Sequence, residues 1–475
     1  MKKLLSIFFI GLLILTGIGA SGFSQTKSVT SNNDGYDMVI ISSSEFSDQI
    51  QPLIDHKNSH DVETTFKAVE DIYQEYEGRD NPEKIKYFIK YAKETWNIDY
   101  VLLIGGARGN TNSWYVPVRY VELDDGAERG TQYISDLYYA DIYKNGDEFE
   151  DWDHNGDDII AQWPGDKFDL YPDVYIGRLP CRTPEEVTTV VQKIISYENN
   201  AYGQPWFNKM VAIGGDTFPE YEGFEGEITC DYATNYMQAF EIIKLYCSTN
   251  ALENSDDVVE AINDGCGFLF TRAKGGTDRI RVPRSNGEEI IALHNNDIDD
   301  LTNKDEYPIM VLGECQHGEF DKAKAKTRDH NDLNQGLFRQ IINRLIELIK
   351  KKQQYKEPIP QPVDTLNECI AWRLVNKVDG GGIAVLTNTH ICYAAIGDNN
   401  QNDIPDDVEM YGGQLAAEVF RIYSEENIDI LGEIFGKTVE NYVISQPVSM
   451  NKIHCKSVQE WTLIGDPSLK IGGYD

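Results

Sequence analysis

The 475-residue chain carries 78 acidic against 43 basic residues, a formal net charge of −35. A field of that sign repels nucleic acid and anionic membranes and favours cations, so a nucleic-acid partner is not expected. Eight cysteines without a CxxC pair argue against a zinc ribbon, and a chain this long needs no disulfide framework.

Residues 1–24 combine two lysines, an apolar run and then small residues, the pattern of a secretory signal peptide with cleavage near Ala20, Gly22 or Ser24. No later stretch reaches the roughly 20 consecutive apolar residues of a membrane span. The mature chain is therefore expected to be exported, extracellular or at the cell surface, without a transmembrane segment. "YDMVIISSS" (36–44) predicts a buried strand, followed by an amphipathic stretch to about His60. "VETTFKAV" (62–69) predicts a second strand, "NPEKIKYFIKYAKETWN" (81–97) a helix with proline near its start, and "YVLLIGG" (100–106) a third strand. After "DVYIGRLPCRTPEEVTTVVQKIISYEN" (173–199), the segment "AYGQPW" reads as a boundary.

The second half repeats the alternation, with strands expected at 209–216, 241–248, 266–273, 307–315 and 382–389. Helices are expected at 229–240, 255–264, 337–353, 365–378, 412–424 and 428–445. Continuous apolar strands separated by helices predict an α/β fold: two adjacent parallel-sheet units, 36–204 and 205–475, with helices on both faces. In open parallel sheets chemistry gathers beyond the carboxyl ends of the strands. Cys315, Lys274 and His390 each follow a predicted strand, and that shared edge is the candidate site.

Three segments together resemble the gingipain-like cysteine peptidases, a family related in fold to caspases and legumains. They are "VLGECQHGEFD" (311–321), similar to the family's nucleophile corner, "PDVYIGRLPCRTPEE" (172–186), and the terminal "WTLIGDPSLKIGGY" (461–474). The resemblance spans residues 36–474 and implies a secreted thiol endopeptidase acting on protein or peptide substrates, with Cys315 as nucleophile. It also implies a dyad histidine after an earlier strand. The corresponding stretch, "GFLFTRAKGGT" (267–277), places Lys274 at that position, and Gly275 keeps the following glycine, whose backbone N–H the family uses towards an oxyanion.

The replacement bears directly on the chemistry. A free thiol with a pKa of about 8.5 is only a few per cent thiolate at neutral pH, so a base must raise that fraction and later protonate the leaving amine. Histidine does both. Lysine stays charged unless burial lowers its pKa by about 3 units. Altered or lost turnover is expected, and three readings stay open: a silent relative that binds peptides or surface polymers, a substitute base, or a lysine-assisted mechanism. His390, in "TNTHICY", is the best-placed substitute; His317 shares a tight corner with Cys315. Around Lys274, the basic residues Arg272, Arg279, Arg281 and Arg284 are candidates to receive an acidic group.

Calcium is the expected cofactor, in a structural role. "DNNQNDIPDDVE" (398–409) fits a twelve-residue calcium loop, with Asp398, Asn400 and Asn402 at alternating positions, the Ile404 carbonyl, Asp406, and Glu409 to close it. Asp403 stands where such loops have glycine. "DWDHNGDD" (151–158) offers a second set in Asp151, Asp153, Asn155 and Asp157, with Gly156 at the turn, and it would need help from a residue such as Asp136 or Asp141.

Overall fold

The computed structural model describes residues 35–108, 113–126, 131–144, 148–321 and 368–475. The expected signal peptide and the helix expected at 337–353 lie outside them. Apolar runs become strands β1 (Met38–Ser42), β2 (Thr64–Ala68) and β3 (Tyr100–Ile104). Two short hairpins follow, β4 (Tyr120–Glu122) with β5 (Gln132–Ile134) and β6 (Tyr143–Lys144) with β7 (Glu148–Phe149). The remaining strands are β8 (Tyr175–Leu179), β9 (Lys209–Gly214), β10 (Glu241–Tyr246), β11 (Phe268–Arg272), β12 (Arg279–Pro283), β13 (Glu289–His294), β14 (Ile309–Leu312), β15 (Ala384–Asn388) and β16 (Trp461–Ile464).

Ten of them form one sheet in the order β10-β9-β11-β14-β15-β16-β8-β3-β1-β2. All neighbours are parallel except β15 and β16. The sheet is therefore mostly parallel, as expected, but its two halves run in opposite directions and meet at β16, which the chain adds last. Strands β1, β11, β14, β15 and β16 are buried at every residue, because helices cover both faces of the sheet.

Local signals fix the helices. Asp80 caps Asn81–Trp96 by accepting from the Glu83 N–H, proline occupies its first turn, and Asn97 ends it in the left-handed region at φ 61°. Thr183 caps Pro184–Asn200 in the same way, and Asn254 with Asp257 forms a capping box on Ser255–Asn263.

Two of the quoted segments hold the halves together. Arg178 of β8 is buried, bidentate to Asp136 at 2.6 and 2.8 Å, and donates to the carbonyls of Gly105, Val116 and Pro117. Gly177 is glycine because β16 passes so close that a Cβ would lie 2.4 Å from the Gly465 carbonyl oxygen. In the terminal segment, Asp466 and Glu198 share the buried Lys57 ammonium at 2.8 and 2.7 Å. That contact ties the chain's end to the helices Ser47–Asn58 and Pro184–Asn200.

Candidate active site

β11, β14 and β15 are adjacent and parallel, so their carboxyl ends open on one edge. Lys274, Cys315 and His390 leave from those ends, which brings the three sequence-selected positions into one region. The β14 exit is pinned on both sides. The Gly313 N–H donates to the Thr271 carbonyl at 3.2 Å, and the Asn388 amide donates to the Glu314 carbonyl at 3.1 Å. Gln316 then takes φ 65° and donates its N–H to the His390 carbonyl at 2.9 Å. That left-handed residue makes the corner sharp enough to leave Cys315 at the rim.

Cys315 is half-buried, and its sulfur lies 3.5 Å from the Cys392 carbonyl oxygen and 3.8 Å from the Cys392 sulfur. All cysteines described are free thiols, so this is a contact and not a disulfide. Among the described residues no imidazole lies within hydrogen-bonding range of the Cys315 sulfur. The contact with Cys392 holds the Cys315 thiol below its ordinary pKa against the opposing effect of burial, and the positive charges of Arg272 and Lys456 act in the same sense. Cys392 moves the other way, raised by that contact and by burial. The two thiols are coupled, and the opposed shifts favour ionisation of Cys315 before Cys392.

The supporting cations are fixed by buried carboxylates. Arg272 pairs with Asp407 through Nε at 2.7 Å and Nη2 at 2.5 Å, and also donates to the Gly313 carbonyl. Lys456 meets Asp125 at 2.6 Å and Glu460 at 3.7 Å, and donates to the Ile391 carbonyl at 2.8 Å. The neighbours of Cys315 along the chain form a second buried pair. Glu314 accepts from the Thr271 hydroxyl at 2.7 Å and lies 3.4 Å from His317 Nδ1. Burial pushes the Glu314 carboxyl up to about 7 and the His317 imidazole down to about 4. His317 Nε2 faces the Arg279 carbonyl at 3.2 Å.

The other sequence-selected residues have distinct places. Lys274 bridges Arg281 through its backbone, and its ammonium lies 4.0 Å from Glu289 on β13, with the side chain 38% exposed. Gly275 packs its backbone on Cys315: a Cβ there would lie 2.1 Å from the Cys315 oxygen and 2.7 Å from its nitrogen. The imidazole of His390 is buried and stacks on Tyr133 at 5.5 Å, while its backbone serves the Cys315 corner. In the basic cluster, Arg279 pairs with Asp278 and Arg281 with Glu289, so hairpin acids meet both guanidinium groups. Sequence reasoning passed over Cys392, Arg272 as a partner of the thiol, and Lys456. The available signal was Cys392 itself, two positions beyond the histidine that drew attention.

In the loop 398–409 the Asp398 carboxylate accepts from the Asn402 and Asp403 N–H groups at 3.1 and 2.9 Å. The Asn400 and Asn402 amides both donate to Glu409 at 2.7 Å, closing the loop on itself. Asp403 takes φ 65°, the conformation glycine would adopt more easily there. Asp406 is buried and accepts from the Asn399 N–H at 3.0 Å, and the Ile404 N–H donates to Asn402. The loop 151–158 is organised differently. Its Asp153 and Asp151 pair with the Arg79 guanidinium, Asn155 and Asp157 bond each other at 3.2 Å, Asp136 is taken by Arg178, and Asp141 accepts from the Trp152 ring N–H. No group of three or more His, Cys, Asp or Glu residues arranged to hold a metal occurs among the described residues.

The sequence matches the family model described as Peptidase family C25 over residues 31–472. Gingipain R2 of Porphyromonas gingivalis is 21% identical over 288 residues, 60% of this chain and 32% of that protein. Lys-gingipain of the same organism is 26% identical over 157 residues, 32% of this chain and 8% of that protein. The chain thus spans about a third or less of the length of these curated relatives. Among solved structures, the crystal structure of the Arg-specific cysteine proteinase gingipain R aligns with a TM-score of 0.60 at 18% identity, covering 93% of this chain and 79% of that one. A complex of the pro- and mature domains of the Porphyromonas gingivalis protein RgpB aligns at 0.57 and 19% identity, covering 91% and 79%. The fold is shared with both. With the family model matched over nearly the whole sequence, the chain belongs to peptidase family C25.

Proposed function

We propose that the chain is an exported cysteine endopeptidase that attacks protein or peptide substrates through a preformed Cys315 thiolate, without a histidine as its base. What supports this reading most is the sulfur at the sheet rim, held below its ordinary pKa by Cys392, Arg272 and Lys456. Export rests on the basic, apolar and small-residue pattern of residues 1–24. A preformed thiolate needs no base to add to a carbonyl carbon. Expulsion of an amine does need an acid, and among the described residues no imidazole lies close enough to Cys315 to supply the proton. Ester leaving groups depart without one, so chemistry at Cys315 favours esters over amides.

The experiment compares an ester and an amide of the same acyl group, with casein as the protein substrate. General acid catalysis contributes typically 10²–10⁴-fold, so the ester-to-amide ratio of kcat/KM should exceed that of a histidine–cysteine peptidase by about that factor. Mass spectrometry should find the acyl group on Cys315. An amide cleaved as readily as the ester would overturn the altered mechanism. Intact casein together with an unacylated Cys315 would leave a silent, peptide-binding relative.

Calcium belongs to the same proposal as a structural ligand of the 398–409 loop, held by Asp398, Asn400, Asn402, the Ile404 carbonyl, Asp406 and Glu409. The donor set is chemically suited to a hard cation, and the Glu409 carboxylate accepts from the Asn400 and Asn402 side-chain amides, contacts that a cation would replace. The 151–158 loop does not fit, because Arg79 already supplies its positive charge. Calcium should raise the unfolding temperature of the wild type and of Asp153→Asn, but not of Glu409→Gln. An equal rise in all three would exclude the loop.

A further inference from the structure

We propose that Cys315 and Cys392 form a reversible disulfide, which makes this pair an oxidative modification site that masks the nucleophile. The sulfurs sit 3.8 Å apart, at van der Waals contact, although 77 residues separate them in the chain. The two cysteines follow adjacent parallel strands, β14 and β15, and an S–S bond requires the sulfurs to close from 3.8 Å to about 2.05 Å. Both residues are half-buried, whereas Cys181, Cys230, Cys266, Cys369 and Cys455 are buried. Cys392 also lies against the Gly313 carbonyl oxygen at 3.7 Å, so both of its contacts hold it beside the β14 exit. One sulfur with thiolate character, next to a second thiol and within reach of solvent, is the arrangement of a reactive cysteine with its resolving partner.

The oxidant is a peroxide. The Cys315 thiolate attacks one peroxide oxygen: the S–O bond forms, the O–O bond breaks, and hydroxide leaves. The Cys392 sulfur then attacks the Cys315 sulfenic acid. The S–S bond forms, the S–O bond breaks, and the departing hydroxide takes the Cys392 proton to leave as water. The hydroxide from the first step takes up the proton that Cys315 released on ionising, so two thiols lose two electrons and hydrogen peroxide is reduced to two waters. A dithiol reverses the bond by exchange. Without Cys392 the sulfenic acid has no resolving partner and proceeds to sulfinic acid, which a dithiol does not reverse.

The inference rests on the proposed reactivity of Cys315 but not on peptide cleavage, so its test uses other readouts. Folded wild type and Cys392→Ala are treated with hydrogen peroxide, then analysed by intact mass, non-reducing peptide mapping and iodoacetamide labelling before and after dithiothreitol. The wild type should lose the mass of two hydrogens, yield a linked peptide containing Cys315 and Cys392, and regain labelling on reduction. Loss of Cys392 also weakens the thiolate, so irreversible oxidation is read as a share of all Cys315 oxidation, and that share should be higher in Cys392→Ala. A linked peptide involving another cysteine, or an equal irreversible share of Cys315 oxidation in both proteins, would overturn the proposal. The wild-type mapping decides alone if the variant fails to fold. Intact casein with a linked Cys315–Cys392 peptide would remove the peptidase reading and keep the redox pair; the reverse pattern would do the opposite.

Discussion

Replacing Gly275 with alanine puts a methyl group where two backbones touch. The new Cβ would lie 2.1 Å from the Cys315 carbonyl oxygen, 2.7 Å from its nitrogen and 2.9 Å from its carbonyl carbon. Normal contact is about 3.5 Å, so one segment must retreat by about 1.4 Å. The contacted atoms are all backbone, so no side-chain rotation relieves the overlap. On one side the 274–281 bridge holds Gly275, and on the other the Gln316 N–H bond to His390 holds the corner. The upper end of overpacking costs, about 3 kcal/mol, plus about 1 kcal/mol for a weakened backbone hydrogen bond, gives about 4 kcal/mol. Gly276 is the control, because its added Cβ would meet Arg279 atoms only at 3.7 Å, an ordinary contact. Urea unfolding followed by tryptophan fluorescence should show a clearly lower midpoint for Gly275→Ala and almost none of that change for Gly276→Ala. Iodoacetamide should also label Cys315 at a changed rate in Gly275→Ala alone. Equal midpoints for the two variants would refute the close approach of Gly275 to the nucleophile corner.

Arg272→Met leaves Asp407 buried without its cation, and loss of one partner of a buried ion pair costs about 3–5 kcal/mol. The urea midpoint should fall accordingly, and the pH at which Cys315 reacts should rise; an unchanged midpoint would count against the pair. Glu314 and His317 give a pH signature. With its pKa raised from 4.5 to about 7, Glu314 contributes stability that is full below pH 4.5 and lost as pH rises through 7. His317, lowered from 6.5 to about 4, contributes stability that is full above pH 6.5 and lost as pH falls through 4. Each spans about 3 kcal/mol at about 1.4 kcal/mol per unit, so they oppose each other between pH 4.5 and 6.5. Glu314→Gln should expose the His317 slope, with urea midpoints climbing from pH 4.5 to 6.5; a profile matching the wild type would contradict this.

Much of the sheet was legible because buried parallel strands are continuous apolar runs. "MVIIS", "YVLLI" and "AVLTN" announce themselves in that way. Direction is another matter. Nothing in "WTLI" distinguishes an antiparallel insertion from a parallel neighbour, so the reversal between the halves came only with β16 in place. The hairpin of β12 and β13 hid behind its own charges: "RIRVP" alternates as a half-exposed strand should, but its arginines drew a reading as a ligand patch. The helix expected at 229–240 forms at Glu225–Thr234 instead. Its glycine is dictated by packing, since a Cβ on Gly226 would lie 2.2 Å from the Arg272 carbonyl oxygen. At the site, sequence located the rim and the three strand ends that reach it. It did not locate the second sulfur, because the Cys315–Cys392 contact depends on how the backbone turns after β15.

The pH dependence of Cys315 alkylation tests the central claim most directly. Wild-type protein is labelled with iodoacetamide across a pH series, and the rate at Cys315 is read by peptide mass spectrometry. A thiolate stabilised by Cys392, Arg272 and Lys456 should reach half its maximal reactivity well below the ordinary thiol value of about 8.5. Arg272→Met should move that midpoint upward. A wild-type midpoint at or above the ordinary thiol value would contradict the account.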